Sequence, residues 1–265
     1  MQLDPIAIAA GVRLAGLATI GSTNEEARRR AQRGETGPLW VTAEAQTAGR
    51  GRLDRSWVSP AGNLYASLLL RDPAPPDRAP ELAFVAALAL RDAVVAEAAV
   101  LAPQLRFKWP NDLLIGGEKC AGILIEGEIG ADKTVNAVIG IGANCTSHPA
   151  TAGRPATDLK AHGTAIAPQA LFRLLSATMC RRLSQWDRGR GISGILADWL
   201  ATAHGIGEAI VVRNGAGETH GRFAGLDPAG RLLLELPGGG IEKVSAGDVF
   251  PLEPSGARRA AAAPG

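Results

Sequence analysis

Residues 108–126 read Lys-Trp-Pro-Asn-Asp-Leu-Leu-Ile-Gly-Gly-Glu-Lys-Cys-Ala-Gly-Ile-Leu-Ile-Glu. Two apolar, β-prone runs, 113–115 and 119–126, flank Gly116-Gly117, a dipeptide that admits the positive φ values a tight hairpin turn requires. Another such run, 104–108, comes just before, and Trp109-Pro110-Asn111-Asp112 interrupts its pairing because proline has no N–H to give to a ladder. Consecutive strands joined this closely pair antiparallel. The stretch therefore sets the class of the main unit as α+β, with a mixed, mainly antiparallel sheet and helices packed on one side.

Working outward, residues 12–20, 39–43, 63–70 and 134–142 supply further strands. Ser22, Thr23 and Asn24 are N-cap residue types, and both Ser22 to Glu25 and Thr23 to Glu26 have capping-box spacing, so a helix starts there and runs to about Arg33. Residues 81–101, rich in alanine, leucine and valine, predict a long packed helix, and 168–186 and 192–203 predict two more, with Pro168 at a helix-starting position. Residues 71–80 and 143–167 read as irregular connections. From Gly205 the pattern changes to four short β-prone runs, 209–213, 221–226, 231–235 and 241–244, separated by Asn214-Gly215, Asp227-Pro228 and Gly238-Gly239-Gly240. A catalytic-sized domain over 1–204, a small β barrel or sandwich over 205–253 and a disordered tail over 254–265 are the expected divisions.

Composition narrows the setting. The 265-residue chain is 46% hydrophobic and 20% charged, the balance of an ordinary globular protein, and its net charge of +2 is too small to argue for nucleic acid. Cys120, Cys145 and Cys180 are odd in number and unclustered, and the four histidines are scattered, so neither a disulfide framework nor a zinc site is expected. Asp4, Pro5 and Arg13 break any leader pattern, and no apolar run reaches a membrane-spanning length of about 18 residues. A cytoplasmic protein without membrane or nucleic-acid partners is the expectation.

Chemistry concentrates in residues 46–57, Gln-Thr-Ala-Gly-Arg-Gly-Arg-Leu-Asp-Arg-Ser-Trp. Arg50, Arg52 and Arg55 offer planar forks of donors that match a phosphate or carboxylate, Gly49 and Gly51 let the backbone approach, and Trp57 offers a flat surface for a base or for one of the arginines. Composition alone fits a solvated basic loop equally well.

Taken with the 108–126 segment, Ser22-Thr23-Asn24 and Gly140-Ile-Gly-Ala-Asn144, this loop makes the chain resemble the biotin protein ligases of the monofunctional type. The four motifs stand in the family's order and at similar spacing, and the resemblance spans roughly residues 17–252. It implies a class II synthetase-like ligase fold with an SH3-like C-terminal barrel, and ATP-dependent transfer of biotin, through biotinyl-5′-AMP, to a lysine of a carboxylase's biotin carboxyl carrier domain. It also implies the site. Ser22, Thr23, Asn24, Gln46, Gly49, Arg50, Gly51, Arg52, Lys119 and Gly122 match biotin-binding positions; Arg52, Arg55, Trp57, Lys108, Asn111, Asp112 and Asn144 match ATP-binding ones. Lys119 matches the lysine at the carboxylate and α-phosphate, Arg52 the arginine that retains the adenylate, and Mg²⁺ would accompany ATP near Asp112. Family members occur as monomers and as homodimers joined through the central sheet.

Leu53-Asp54 departs from the family pattern, which has glycine where Asp54 stands, and places a negative charge beside three arginines. Trp109, Cys120 and Cys145 read as core residues, and Gly140-Ile-Gly142 as a strand end. A lipoate or octanoate ligase shares the general architecture, but the Gly-Arg-Gly-Arg and Lys-Trp-Pro-Asn-Asp pair favours biotin. A biotin-responsive DNA-binding repressor needs a winged helix ahead of Ser22, for which about 20 residues are too few.

Overall fold

The computed structural model describes residues 1–129, 134–150, 155–215 and 217–252; the expected tail at 254–265 lies outside them. Seven strands form the main sheet: β1 (Arg13–Ile20), β2 (Leu39–Gln46), β3 (Leu64–Arg71), β4 (Leu105–Lys108), β5 (Asp112–Ile115), β6 (Glu118–Ile129) and β7 (Val135–Ala143). Their order is β1-β2-β3-β7-β6-β5-β4. Only β1 and β2 run parallel, because the helix between them carries the chain back to the same end.

That helix, α2 (Thr23–Gln32), follows a short α1 (Pro5–Ala9) capped by Asp4. Ser22 is its N-cap, Glu25 and Glu26 sit in its first turn and Arg29 and Arg30 in its last, charges that suit the helix dipole at each end. Alternation along β2 serves both faces of the sheet. Leu39 and Val41 join Ala27 of α2 in a small cluster, whereas Trp40 points into the main core. The longer helices α3 (Leu82–Glu97) and α4 (Pro168–Trp186), with α5 (Ile192–Leu200), contribute to that main core on one side; α2 covers the other.

Several boundaries differ from expectation. The helix expected over 81–101 stops at Glu97, because Ala98 takes φ −140° and ψ 74°; a short 3₁₀ turn at Ala99–Leu101 then leads towards β4. Strand β2 extends three residues past its expected end to Gln46, held by parallel pairing of Ile20 with Gln46, so Gln46 stands on a strand. The smaller sheet has five antiparallel strands, ordered β11-β10-β9-β8-β12: β8 (Ala209–Asn214), β9 (Gly217–Leu226), β10 (Leu232–Glu235), β11 (Ile241–Val244) and β12 (Asp248–Pro251). The last is one more than the sequence predicts, being four residues long and ending in proline.

The two sheets share one core. Ile210, Val212, Phe223, Leu232, Leu234, Val244 and Val249 pack continuously with residues of the larger sheet and its helices. Trp199 of α5 stacks on Phe107 of β4 at 5.6 Å and meets Phe84 of α3 edge-on at 5.4 Å. Trp109 lies in the same core and donates its indole N–H to Gly230 O at 3.1 Å.

Candidate active site

A cavity of about 960 Å³ opens between the two sheets. It is lined by Ser22, Thr23, Asn24, Gln46, Arg50, Gly51, Arg52, Arg55, Trp57, Lys108, Asn111, Asp112, Lys119, Gly122 and Asn144, every candidate residue except Gly49. Gly49 lies behind the wall: a Cβ there would meet Trp57 O at 2.4 Å and Ser59 Oγ at 2.5 Å.

At one end the groups are neutral and bonded to one another. The start of α2 aims Thr23 and Asn24 at the sheet, where Ser67 of β3 stands 2.8 Å from Thr23 Oγ1 and donates to Asn24 Oδ1 at 2.6 Å. Gln46 Oε1 accepts from Thr23 N–H at 2.8 Å, and its Nε2 donates to Ser59 Oγ at 2.9 Å. Asn24 Nδ2 donates to Glu126 of β6 at 2.7 Å. Gly140 makes room for this, since a Cβ there would stand 2.2 Å from Asn24 Oδ1. Across the β6–β7 register Gly122 faces Gly142, and the indole of Trp57 lies over the pair; a Cβ on Gly142 would approach Trp57 Nε1 to 2.6 Å.

At the other end the groups are charged. Lys119 Nζ is 2.5 Å from Asp112 Oδ1 and 5.3 Å from the centre of the Trp57 ring. Arg52 donates to Asn111 Oδ1 at 3.1 Å and to Gly247 O at 3.2 Å; burial lowers its pKa, opposed by Asp248 and Asp112. Arg55 pairs with Asp248 of β12, whereas Arg50 of the same loop reaches back to the neutral end and pairs with Glu126. Lys108 and Arg213 both stand over the ring of Phe250, at 5.3 and 4.6 Å. The smaller sheet therefore holds the arginine loop at its far end.

The loop's tip answers the question raised by Asp54. Leu53 and Asp54 both take left-handed φ, 55° and 54°, and Gly51 N–H donates to Arg55 O at 2.7 Å to close the turn. Aspartate adopts glycine's conformation here, and leucine beside it does the same with no polar group to ease it. Asn144, expected near a nucleotide, is buried and donates to Thr157 O at 3.0 Å, while Thr157 N–H donates to Lys119 O at 2.9 Å.

Ser67, Glu126, Asp248, Arg213 and Phe250 are parts of this arrangement that sequence reasoning passes over. Glu126 closes a recognised motif and so carried a signal. The others are brought in by strand register and by the docking of the second sheet. Among the described residues no group of three or more His, Cys, Asp or Glu side chains could hold a metal ion, and no helix is long and apolar enough to cross a membrane.

Comparison with known proteins agrees across the chain. A family model described as the Biotin/lipoate A/B protein ligase family matches residues 17–144, and one described as the Biotin protein ligase C terminal domain matches residues 205–250. The chain is 42% identical over 241 residues to a Biotin--[acetyl-CoA-carboxylase] ligase of Paracoccus denitrificans, covering 88% of this chain and 98% of that protein. It is 34% identical over 236 residues to the Bifunctional ligase/repressor BirA of Bacillus spizizenii, covering 87% of this chain and 71% of that protein. The fold is similar to the biotin protein ligase of Aquifex aeolicus solved in complex with biotin and ATP, with a TM-score of 0.75 at 24% identity, over 90% of this chain and 97% of that one.

Proposed function

This chain belongs to the biotin protein ligase family, and on that premise we infer that it activates biotin with ATP and transfers the biotinyl group to a lysine of a biotin carboxyl carrier protein. The observation that carries the reading is a single cavity joining a neutral, hydrogen-bonding end to a cationic one. A ureido ring offers two N–H donors and one carbonyl acceptor and needs neutral polar partners, which Thr23, Asn24, Gln46 and their neighbours supply. A carboxylate meeting the α-phosphate of ATP brings two anions together, which Lys119, Arg52, Arg55 and Lys108 make possible.

In the first step a carboxylate oxygen attacks the α-phosphorus, a P–O bond forms, and pyrophosphate leaves with the electrons of the broken bond. In the second the unprotonated ε-amine of a carrier lysine attacks the acyl carbon, AMP leaves, and the amine sheds a proton as the amide forms. We assign Lys119 to the carboxylate and α-phosphate in the first step and Arg52 to retention of the adenylate before the second. Trp57, whose indole packs directly on Gly122 and Gly142, walls the cavity beside the intermediate and helps exclude water from a hydrolysable anhydride. Mg²⁺ suits this site only as a companion of ATP: Asp112 is a single carboxylate, and Mg²⁺ is ordinarily held by one or two carboxylates with substrate phosphates, whose charge it neutralises.

The carrier domain of acetyl-CoA carboxylase or of another biotin-dependent carboxylase is the partner we assign, in the cytoplasm. If two copies join through the central sheet they do so at β1, because β4 at the other edge is covered by backbone bonds from Phe107 to Thr202 and His204. ATP–pyrophosphate exchange with biotin, lipoate, octanoate or no acid tests the reading. Exchange with biotin alone is expected; exchange with lipoate or octanoate instead would move the chain to the other branch of the matched family.

A further inference from the structure

Three side-chain contacts at the neutral end compete for two hydroxyl protons. Ser67 Oγ stands 2.6 Å from Asn24 Oδ1 and 2.8 Å from Thr23 Oγ1, and Thr23 Oγ1 stands 3.1 Å from Gln46 Oε1. A hydroxyl has one proton to donate, and amide oxygens only accept. What decides the arrangement is Glu126. Its carboxylate accepts only, so the Asn24 atom 2.7 Å away is the donor Nδ2, and Oδ1 must face Ser67. Ser67 therefore spends its proton on Asn24. Thr23 then has one proton for two acceptors, Ser67 Oγ at 2.8 Å and Gln46 Oε1 at 3.1 Å, and the shorter contact, to Ser67, has no other proton to fill it. Gln46 Oε1 is served there by Thr23 N–H at 2.8 Å. Glu126 also holds Arg50, whose guanidinium lines the cavity on the loop side.

We propose that Glu126 is a positioning residue for acid substrate: from outside the cavity it fixes which atoms of Asn24, Ser67 and Thr23 donate and which accept, and it anchors Arg50 across the same end. Glu126 is not among the residues lining the cavity, so it acts only through those it holds. A glutamine in its place could turn its own Nε2 to Asn24. Asn24 would then flip, Ser67 would donate to Thr23, Thr23 would donate to Gln46, and the polarity of the whole row would reverse. Specificity for a ring with two donors and one acceptor depends on that polarity.

The proposal rests on the biotin ligase reading, and ATP–pyrophosphate exchange separates the two. If the parent protein shows no biotin-dependent exchange, the functional reading fails before Glu126 is tested. Given parental exchange, Glu126→Gln is expected to raise the biotin KM about tenfold or more, the worth of one charge-assisted hydrogen bond, while the ATP KM stays within about twofold. Biotin and ATP KM rising together, or a biotin KM unchanged from the parent, would overturn the proposal. Should Glu126→Gln fold poorly, a swap keeps the question open to a clear answer. Asn24→Asp alone sets two carboxylates against each other; adding Glu126→Gln restores a donor–acceptor pair and leaves Ser67 donating to position 24. The double variant is expected to bind biotin about tenfold more tightly than Asn24→Asp. Equal binding by the two would mean that the positions do not work as a unit.

Discussion

At one end of the cavity Thr23, Asn24 and Ser67 are 4%, 4% and 0% exposed and bonded to one another; at the other the side chains of Arg55 and Lys119 are 37% and 34% exposed and paired with Asp248 and Asp112. The neutral end is built mainly by the larger sheet and α2, with Arg50 and Ser59 reaching it from the connection between β2 and β3. The charged end needs the arginine loop and β12 of the smaller sheet. Arg55 and Lys119 there are held by carboxylates, and Arg52 by Asn111 Oδ1 and Gly247 O. The first end is thus ready to recognise a ring, whereas the second must exchange partners before it can hold phosphates.

The sharpest break of this contrast is at Lys119. Lys119→Ala removes a charged donor from the point where two anions meet, and biotin-dependent exchange is expected to fall about a hundredfold. Arg52→Ala tests retention instead of formation. Adenylate should still form, but its dissociation, followed with labelled biotin, should speed up about ten- to a hundredfold. Salt sharpens the comparison without mutation: because exposed charges are screened over about 10 Å at 0.1 M, raising ionic strength should raise the ATP KM severalfold and that of biotin, whose single carboxylate reaches Lys119, by a smaller factor. Asp54→Gly gives the smallest effect. Relieving one left-handed residue is worth about 1 kcal/mol, so the closed loop should release adenylate several-fold more slowly.

Local signals in the chain reach some of this and miss the rest for identifiable reasons. Ser22-Thr23-Asn24 announces a helix start, and the structure places one there; that Asn24 also reaches Glu126 depends on strand pairing far along the chain. Lys119 is the clearest case. Strict alternation along β6 would put it on the core face with Ala121 and Ile123. The register slips between Leu113 and Leu114, which pair with Ala121 and Lys119, so Cys120 is an extra residue and Lys119 turns to the cavity with Gly122. A bulge leaves no mark in residue types. Asp248 is invisible for another reason: its strand is short, its neighbours are ordinary, and only the docking of the second sheet brings it to Arg55.

The shared core has a consequence for how the molecule comes apart. Phe107 and Trp199 are buried in a cluster that also contains Phe223 and Leu234 of the smaller sheet, so neither sheet keeps its interior if the other leaves. Melting should then be a single cooperative event, one calorimetric peak whose van't Hoff and measured enthalpies agree, although the chain carries two separate hydrogen-bonded sheets.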